Sequence, residues 1–288
     1  MALAQVLEQR APGRGTRALS PSVSVALPVR DGAPFIADAV RSVLAQTHHD
    51  LELVVCDNHS TDETGRLLAA FDDPRLRVVR PPQALPMALS HDFAVRSTTA
   101  RLVAIMGADD VADPRRIAAQ VAALASDPAL VLVGCWCETI DEAGRATGGL
   151  RYPAERSRVR REALRANPIV LPSMLLRRTA YDAVGGFRDE FGYAFDYDLV
   201  LRLLRMGEVA NVSEDLLRYR YRTSGSSFRK IKEIQREGFR VRWAALRRDG
   251  YGLRDYVWLL QPLLALAVPS AILRAIAVPY MNFFHGRR

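Results

Sequence analysis

Acidic side chains gather where apolar runs end. In LVAIMGADDVADP, residues 102–114, five apolar residues lead through Gly107 and Ala108 to Asp109 and Asp110, side by side. A second run, LELVVCDN (51–58), ends on Asp57 and Asn58, and a third, VSVALPV (23–29), is followed by Asp31. Several carboxylates at one edge repel one another unless a cation or a donor-rich ligand lies among them. Paired carboxylates suit Mg2+ or Mn2+, hard ions that take oxygen ligands and share them with substrate phosphates. A further pair, Asp196 and Asp198, opens FDYDLVLRLLRMG (195–207), an amphipathic pattern whose first turn favours negative charge.

The elements that must carry these acids are legible. Strands are expected over 23–29, 51–58, 76–80, 102–106 and 129–136. Between the early ones lie helical patterns: 33–47 puts Phe35, Ile36, Ala39, Val40, Val43 and Leu44 on one face, and Ser60 with Glu63 fits a capping box. Asp113 and Pro114 offer an N-cap and a first-turn proline for the helix that follows. Strand and helix alternating at this spacing predict a parallel sheet, with ligands outside the carboxyl ends of its strands. Residues 137–168 read as a less ordered, Arg-rich connection. SMLLRRTAYDAVGGF (173–187) reads as a strand, a short helix and a Gly185-Gly186 turn.

Composition bounds the rest. The chain has 288 residues and a formal net charge of +8. Residues 229–288 hold 12 Lys and Arg against 4 Asp and Glu, which leaves the first 228 residues neutral overall. That distribution argues against a nucleic-acid partner. Cys56, Cys135 and Cys137 have no disulfide or zinc spacing, so buried thiols in a reducing, cytoplasmic compartment are expected. Residues 1–20 read as a loose leader. YVWLLQPLLALAVPSAIL (256–273) is uncharged but interrupted by Pro262 and Pro269. It suits a helical hairpin packed on the domain, or an interfacial element on an anionic membrane surface; a true span is the least favoured reading.

VSVALPVRDG, LELVVCDNHSTDET, LVAIMGADDVADPRRIAAQ and VGGFRDEFGYAFDYDLVLRL resemble the successive blocks of family 2 glycosyltransferases, in the family's order and spacing. The resemblance covers roughly residues 22–227. It implies an α/β GT-A fold: a single, mainly parallel Rossmann-like sheet flanked by helices over 21–228, with residues 229–288 as a C-terminal helical appendage. It implies an inverting transfer of a sugar from a nucleotide diphosphate sugar, UDP before others, to a glycan or lipid-linked acceptor, with Mg2+ or Mn2+. Asp109 and Asp110 fall on acids of the family's D-x-D-D block and are the implied metal ligands, Asp109 also meeting the donor. Pro28, Asp31, Asp57 and Asn58 fall on the base and ribose pocket. His91 stands where relatives carry an Arg, and Arg222 near where they carry a His beside the metal; both are expected to face the diphosphate. Asp196 aligns with the family's general base, with Asp198 one helical step away.

Two departures stand out. Gly107 occupies the first acid position of D-x-D-D, and Phe195 replaces the Glu before the base. They motivate an alternative, a catalytically silent nucleotide-sugar-binding relative acting as a scaffold. A nicotinamide oxidoreductase is disfavoured because no G-x-G-x-x-G follows the first strand. The charge distribution of the basic, apolar tail leads to the expectation of a cytoplasmic enzyme peripheral at the inner face of a membrane, near a lipid-linked or envelope glycan.

Overall fold

A computed structural model describes residues 22–222, 231–248 and 253–268. Strands β1 (Val23–Val29), β2 (Leu51–Asp57), β3 (Leu76–Val79) and β4 (Leu102–Ile105) form a parallel block in the order β3-β2-β1-β4. β1 and β2 are buried along nearly their whole length, as strands covered on both faces must be. Helices α1 (Ile36–Leu44), α2 (Thr64–Ala69) and α3 (Met87–Arg96) make the crossovers. α1 buries Ile36, Ala39, Val40 and Val43, an i, i+3, i+4, i+7 stripe. Because the four strands run the same way, Val29, Asp57 and Ile105 end at one edge. Pro28, which lacks an N–H, lies past the last β1–β4 pair, Ala26 with Ile105, where no β4 partner remains to miss it.

The second half is mixed. β5 (Val111–Ala112) and α4 (Arg116–Ser126) lead to the long β6 (Leu130–Ile140), the hairpin strand β7 (Ala146–Leu150) and α5 (Arg156–Glu162). β8 (Leu175–Arg177) runs antiparallel to both β4 and β6 and joins the halves. α6 (Arg178–Ala183) and α7 (Phe195–Leu203) precede β9 (Glu208–Arg220), which pairs parallel with β6 and antiparallel with β5. The expected fold class is present: one sheet flanked by helices, parallel in its first half and mixed in its second. Gly185 and Gly186 both have positive φ, 81° and 68°, in the turn expected there. Cys56, Cys135 and Cys137 are free and buried.

Local expectations fail where side chains had other partners. α2 begins at Thr64 rather than after Ser60, and Asp62 Oδ1 accepts from the Thr64 N–H (3.0 Å) in place of a Ser60–Glu63 box. Asp113 holds the turn before α4, accepting from the Arg115 N–H at Oδ1 (2.9 Å), so the helix itself starts at Arg116. Residues 137–168 are structured, carrying the end of β6, all of β7 and α5. Their pattern was silent because β7 is exposed over its first three residues and α5 buries only Val159.

Arg116, fully buried, donates to the Ile105 carbonyl (2.8 Å) and to Gln120 Oε1 (3.2 Å), and Gln120 donates to the carbonyls of Val133 (3.0 Å) and Ser173 (2.7 Å). This network pins the end of β4 to β6. The appendage, α8 (Ile231–Arg248) and α9 (Leu260–Ala267), packs on the sheet domain: Val241, Ala245 and Leu246 enter the core cluster of Phe191, Ala194 and Leu164. Arg242 donates to the carbonyls of Leu164 (2.7 Å) and Arg165 (2.8 Å) and to Gln261 (3.0 Å), tying α8 to the domain and to α9. No helix among the described residues is long and apolar enough to cross a membrane. Residues 1–20 and the end of the 256–273 stretch lie outside the described residues.

Candidate active site

The acidic loop Gly107–Asp110 leaves the carboxyl end of β4. β5 then pairs with β9, and the returning β9 carries Arg220 across the acids, with Tyr221 and Arg222 just beyond it. Asp110 is buried and accepts from the Arg220 backbone N–H (2.8 Å). Its other oxygen fills the space beside Gly107, where a Cβ would come within 2.2 Å of it. Glycine at the first acid position is thus a packing consequence of Asp110. Burial, then the charge of Asp109, pushes the Asp110 carboxyl well above the usual range, and the Arg220 N–H and buried Arg116 oppose this.

Asp109 is more open, with 35 % of its side chain exposed, and its Oδ2 lies 3.8 Å from Arg222 Nη1. Burial raises its carboxyl and the Arg222 charge lowers it. Arg220 donates from Nε to the Asp109 carbonyl (2.8 Å) and sits over the Phe35 ring at 4.5 Å. Arg222 lies over the same ring at 5.4 Å. Its Nε is buried and meets no acceptor among the described residues. A buried guanidinium N–H without an acceptor is costly, so this group could take one from a ligand in the cavity that Arg222 lines.

At the ends of β1 and β2 the acids organise loops. Asp57 Oδ1 accepts from the Ser60 N–H (2.8 Å), and Ser60 Oγ accepts from the Asp31 N–H (3.0 Å). Asp31 has φ 53°, which Asp and Asn tolerate better than most residues, and its Oδ1 accepts from the Thr61 N–H (2.7 Å). Asn58 makes a reciprocal amide pair with the Leu85 backbone, both bonds 2.8 Å. Its amide therefore fixes Leu85, on the far wall of the cavity.

Asp196 sits in the first turn of α7. Its Oδ2 accepts from Asn167 Nδ2 (3.0 Å), and burial raises its carboxyl to about 6. Asp198 is no competitor: it is buried against Arg202 (2.7 Å). Phe195 points into the core, its ring centroid 5.1 Å from His91 and 5.3 Å from Phe187. His91 Nδ1 lies 2.8 Å from the Met87 carbonyl, which can only accept, so the proton is on Nδ1 and Nε2 is the free acceptor. Burial lowers the imidazole to about 4. His91 is therefore neutral near pH 7 and ill suited to donate to a diphosphate, unlike the Arg it replaces.

One cavity of about 1190 Å3 joins these groups. Pro28, Asp31 and Asn58 line it from the first two strand ends, Asp109, Asp110 and Arg222 from the acidic loop and β9, and His91 and Asp196 from α3 and α7. Asp57 is off its wall, holding the Ser60 turn. Among the described residues no three His, Cys, Asp or Glu side chains form a metal cluster. Asp109, with Asp110 behind it, fits a hard divalent cation that takes most of its ligands from phosphate and water, the usual habit of Mg2+.

Asn167 escaped the sequence because nothing local marks it; a bond spanning 29 residues supplies its role. Asn167→Ala is expected to raise the Asp196 carboxyl above about 6, since the amide bond favours its charged form. A pH–rate profile should then show the acid limb displaced upward, with nucleotide affinity unchanged.

The family description "Glycosyl transferase family 2" matches residues 24–185. EpsE of Bacillus subtilis (strain 168), which carries a glycosyltransferase name, is 27 % identical over 275 residues, 93 % of this chain and 94 % of its own. The Escherichia coli UDP-Glc:alpha-D-GlcNAc-diphosphoundecaprenol beta-1,3-glucosyltransferase WfgD is 25 % identical over 217 residues, 75 % of this chain and 83 % of its own. Among solved structures, Staphylococcus aureus TarS 1–349 superposes with TM-score 0.64 at 14 % identity, covering 91 % of this chain and 74 % of that one. The mannosyltransferase PcManGT from Pyrobaculum calidifontis, in complex with GDP-Man and Mn2+, gives 0.61 at 20 % identity, covering 100 % and 82 %. The mixed sheet, the acidic loop at its edge and these likenesses agree: the chain is a glycosyltransferase of the GT-A fold and belongs to glycosyl transferase family 2.

Proposed function

We propose that the protein transfers a sugar, with inversion, from a UDP-sugar to a hydroxyl of a glycan or lipid-linked acceptor, using Mg2+ or Mn2+. The observation that carries this reading is that Asp109, Arg222 and Asp196 line one cavity. The choice of UDP draws on TarS, solved with UDP-GlcNAc, and on the UDP-Glc named for WfgD. In this reading residues 21–228 are the transferase unit and 229–288 an appendage. Asp31 and Pro28 face the nucleoside, with Asp57 and Asn58 holding the loops around it.

Asp109, backed by Asp110, would hold the cation; when bound, it offsets charge on the departing diphosphate. Arg222 gives its Nε–H, which meets no acceptor among the described residues, to a phosphate oxygen, and its charge opposes that of the leaving group. Asp196 takes the proton of the acceptor hydroxyl as the hydroxyl oxygen bonds to the anomeric carbon. The C–O bond to the diphosphate breaks with its electron pair going to the leaving oxygen. A base near 6 is ionised at neutral pH yet basic enough to accept that proton.

Arg222→Ala is expected to raise the donor KM about tenfold, the scale of one charge-assisted hydrogen bond; steady-state kinetics with varied donor measures it. A thermal-shift panel of nucleotide diphosphates, with Mn2+ and with chelator, tests the donor reading. Metal-dependent stabilisation by UDP supports it, and stabilisation by no nucleotide diphosphate refutes it. The basic, apolar appendage supports a cytoplasmic protein seated peripherally on an anionic membrane surface, in envelope glycan synthesis.

A further inference from the structure

The acceptor hydroxyl must reach Asp196, so the rest of the acceptor leaves along whatever wall continues the cavity. The appendage supplies part of that wall. Ile234 of α8, with Leu264, Ala265 and Val268 in and just after α9, lines the same cavity as Asp196, together with Ile169 and Leu171 from the segment before β8. Of the polar residues contributed by the appendage, Arg242 and Gln261 bond each other (3.0 Å), and Arg242 also donates to the Leu164 carbonyl (2.7 Å); Gln235 is the exception. What this wall offers a ligand is mainly methyl and methylene surface. It continues outward: Leu260, Leu263 and Leu264 of α9 are 54 %, 46 % and 68 % exposed. Residues 256–268 carry no acidic or basic side chain, apart from Asp255 just before them, whereas α8 carries six Lys and Arg against two Glu.

We infer that this wall is an acceptor subsite for the hydrocarbon chain of a lipid-phosphate-linked sugar, with basic α8 alongside it balancing the phosphate. The inference rests on the transferase reading, which makes Asp196 the point where the acceptor hydroxyl arrives. A free oligosaccharide would leave the apolar wall uncovered, whereas a chain of methylenes removes it from water. The appendage is then a substrate-reading element as well as a flank of the domain.

The test uses the full-length chain with a long-chain alkyl phosphate bearing a diazirine, below its micelle concentration and without vesicles. Cross-links should map to Ile234 or to residues 264–268. Farnesyl phosphate should compete them away, and inorganic phosphate should not. Leu264→Gln, at an exposed position, and Ala265→Gln should each cut this labelling at least fivefold while the thermal shift with UDP stays as in wild type. Labelling confined to the outer surface at Trp243 and Val257, labelling that farnesyl phosphate does not displace, or labelling that needs anionic vesicles would overturn the inference, the last in favour of a plain bilayer contact. UDP-sugar hydrolysis on the same sample separates the two readings. Competed labelling with no turnover, even when a lipid-phosphate-linked sugar is supplied as acceptor, supports the hydrocarbon site and sinks the catalytic assignment. Hydrolysis without competed labelling sinks the subsite.

Discussion

Asp196→Asn is expected to lower kcat for sugar transfer by about 10²–10⁴-fold, the range that general-base catalysis supplies, with nucleotide diphosphate affinity unchanged. The substitution keeps the size of the side chain and a carbonyl oxygen to meet Asn167, so α7 and its neighbours should stay in place. What is lost is the group that takes the acceptor proton. The wild-type pH profile should carry the same signature. Burial raises the Asp196 carboxyl to about 6, so its charged form prevails above that pH and its protonated form below. The rate should therefore rise as pH increases through about 6 and level off toward 7. In the Asn variant that limb should vanish. Asp198→Asn is the contrasting case. That residue is paired with Arg202, so its loss should show in thermal stability while the pH dependence of the rate keeps its shape.

Gly107→Asp carries the second large effect, and its sign opposes intuition from family pattern. Restoring an acid at the first position of the block invites the expectation of a better metal site. The space is already taken: any Cβ there meets the Asp110 carboxylate at 2.2 Å. Asp110 cannot withdraw freely, because it is buried and bonded to the backbone N–H of Arg220, the residue that also holds the Asp109 carbonyl. Displacing it also leaves an added carboxylate in a pocket that already raises the pKa of two. Overpacking alone costs about 1–3 kcal/mol. Loss of transfer activity by tenfold or more is expected, with a lowered Tm and weaker Mn2+ binding by the isolated protein. Gly107→Ala, which adds no charge, should show the same direction in smaller measure. Tighter Mn2+ binding by the Asp variant would contradict the packing account.

What could be read from the sequence follows from how locally each feature is encoded. Buried parallel strands announce themselves as apolar, β-branched runs, so β1, β2 and β4 and their acidic ends were found close to their true limits. Asp109 and Arg222 were placed by block spacing, and the cavity brings them together. Local chemistry also misled. Ser60 and Glu63 have the spacing of a capping box, yet Ser60 is claimed by Asp57 and Asp31 across the loop. Asn58 lies on the cavity as expected, and its amide also holds Leu85, a partner that no spacing rule connects to it. Asn167, and the apolar wall of the appendage, depend on packing between segments far apart in the chain. Composition marks residues 256–273 as uncharged and apolar; it could not say that Leu264, Ala265 and Val268 meet the cavity of Asp196. The departure at Phe195 likewise resolves into packing, since its ring joins His91 and Phe187 and leaves Asn167 as the neighbour of the base.

The most direct measurement is release of nucleoside diphosphate from UDP-, GDP- and dTDP-sugars in the presence of Mn2+, for wild type and Asp196→Asn, with binding of the same nucleotides followed in parallel. A transferase with Asp196 as base predicts that wild type turns over one donor, that UDP is the nucleotide released, and that the variant binds it equally well but turns it over at least 10²-fold more slowly. Binding by both proteins with no turnover by wild type, even with acceptor lipid phosphates supplied, would contradict it and leave a nucleotide-sugar-binding scaffold.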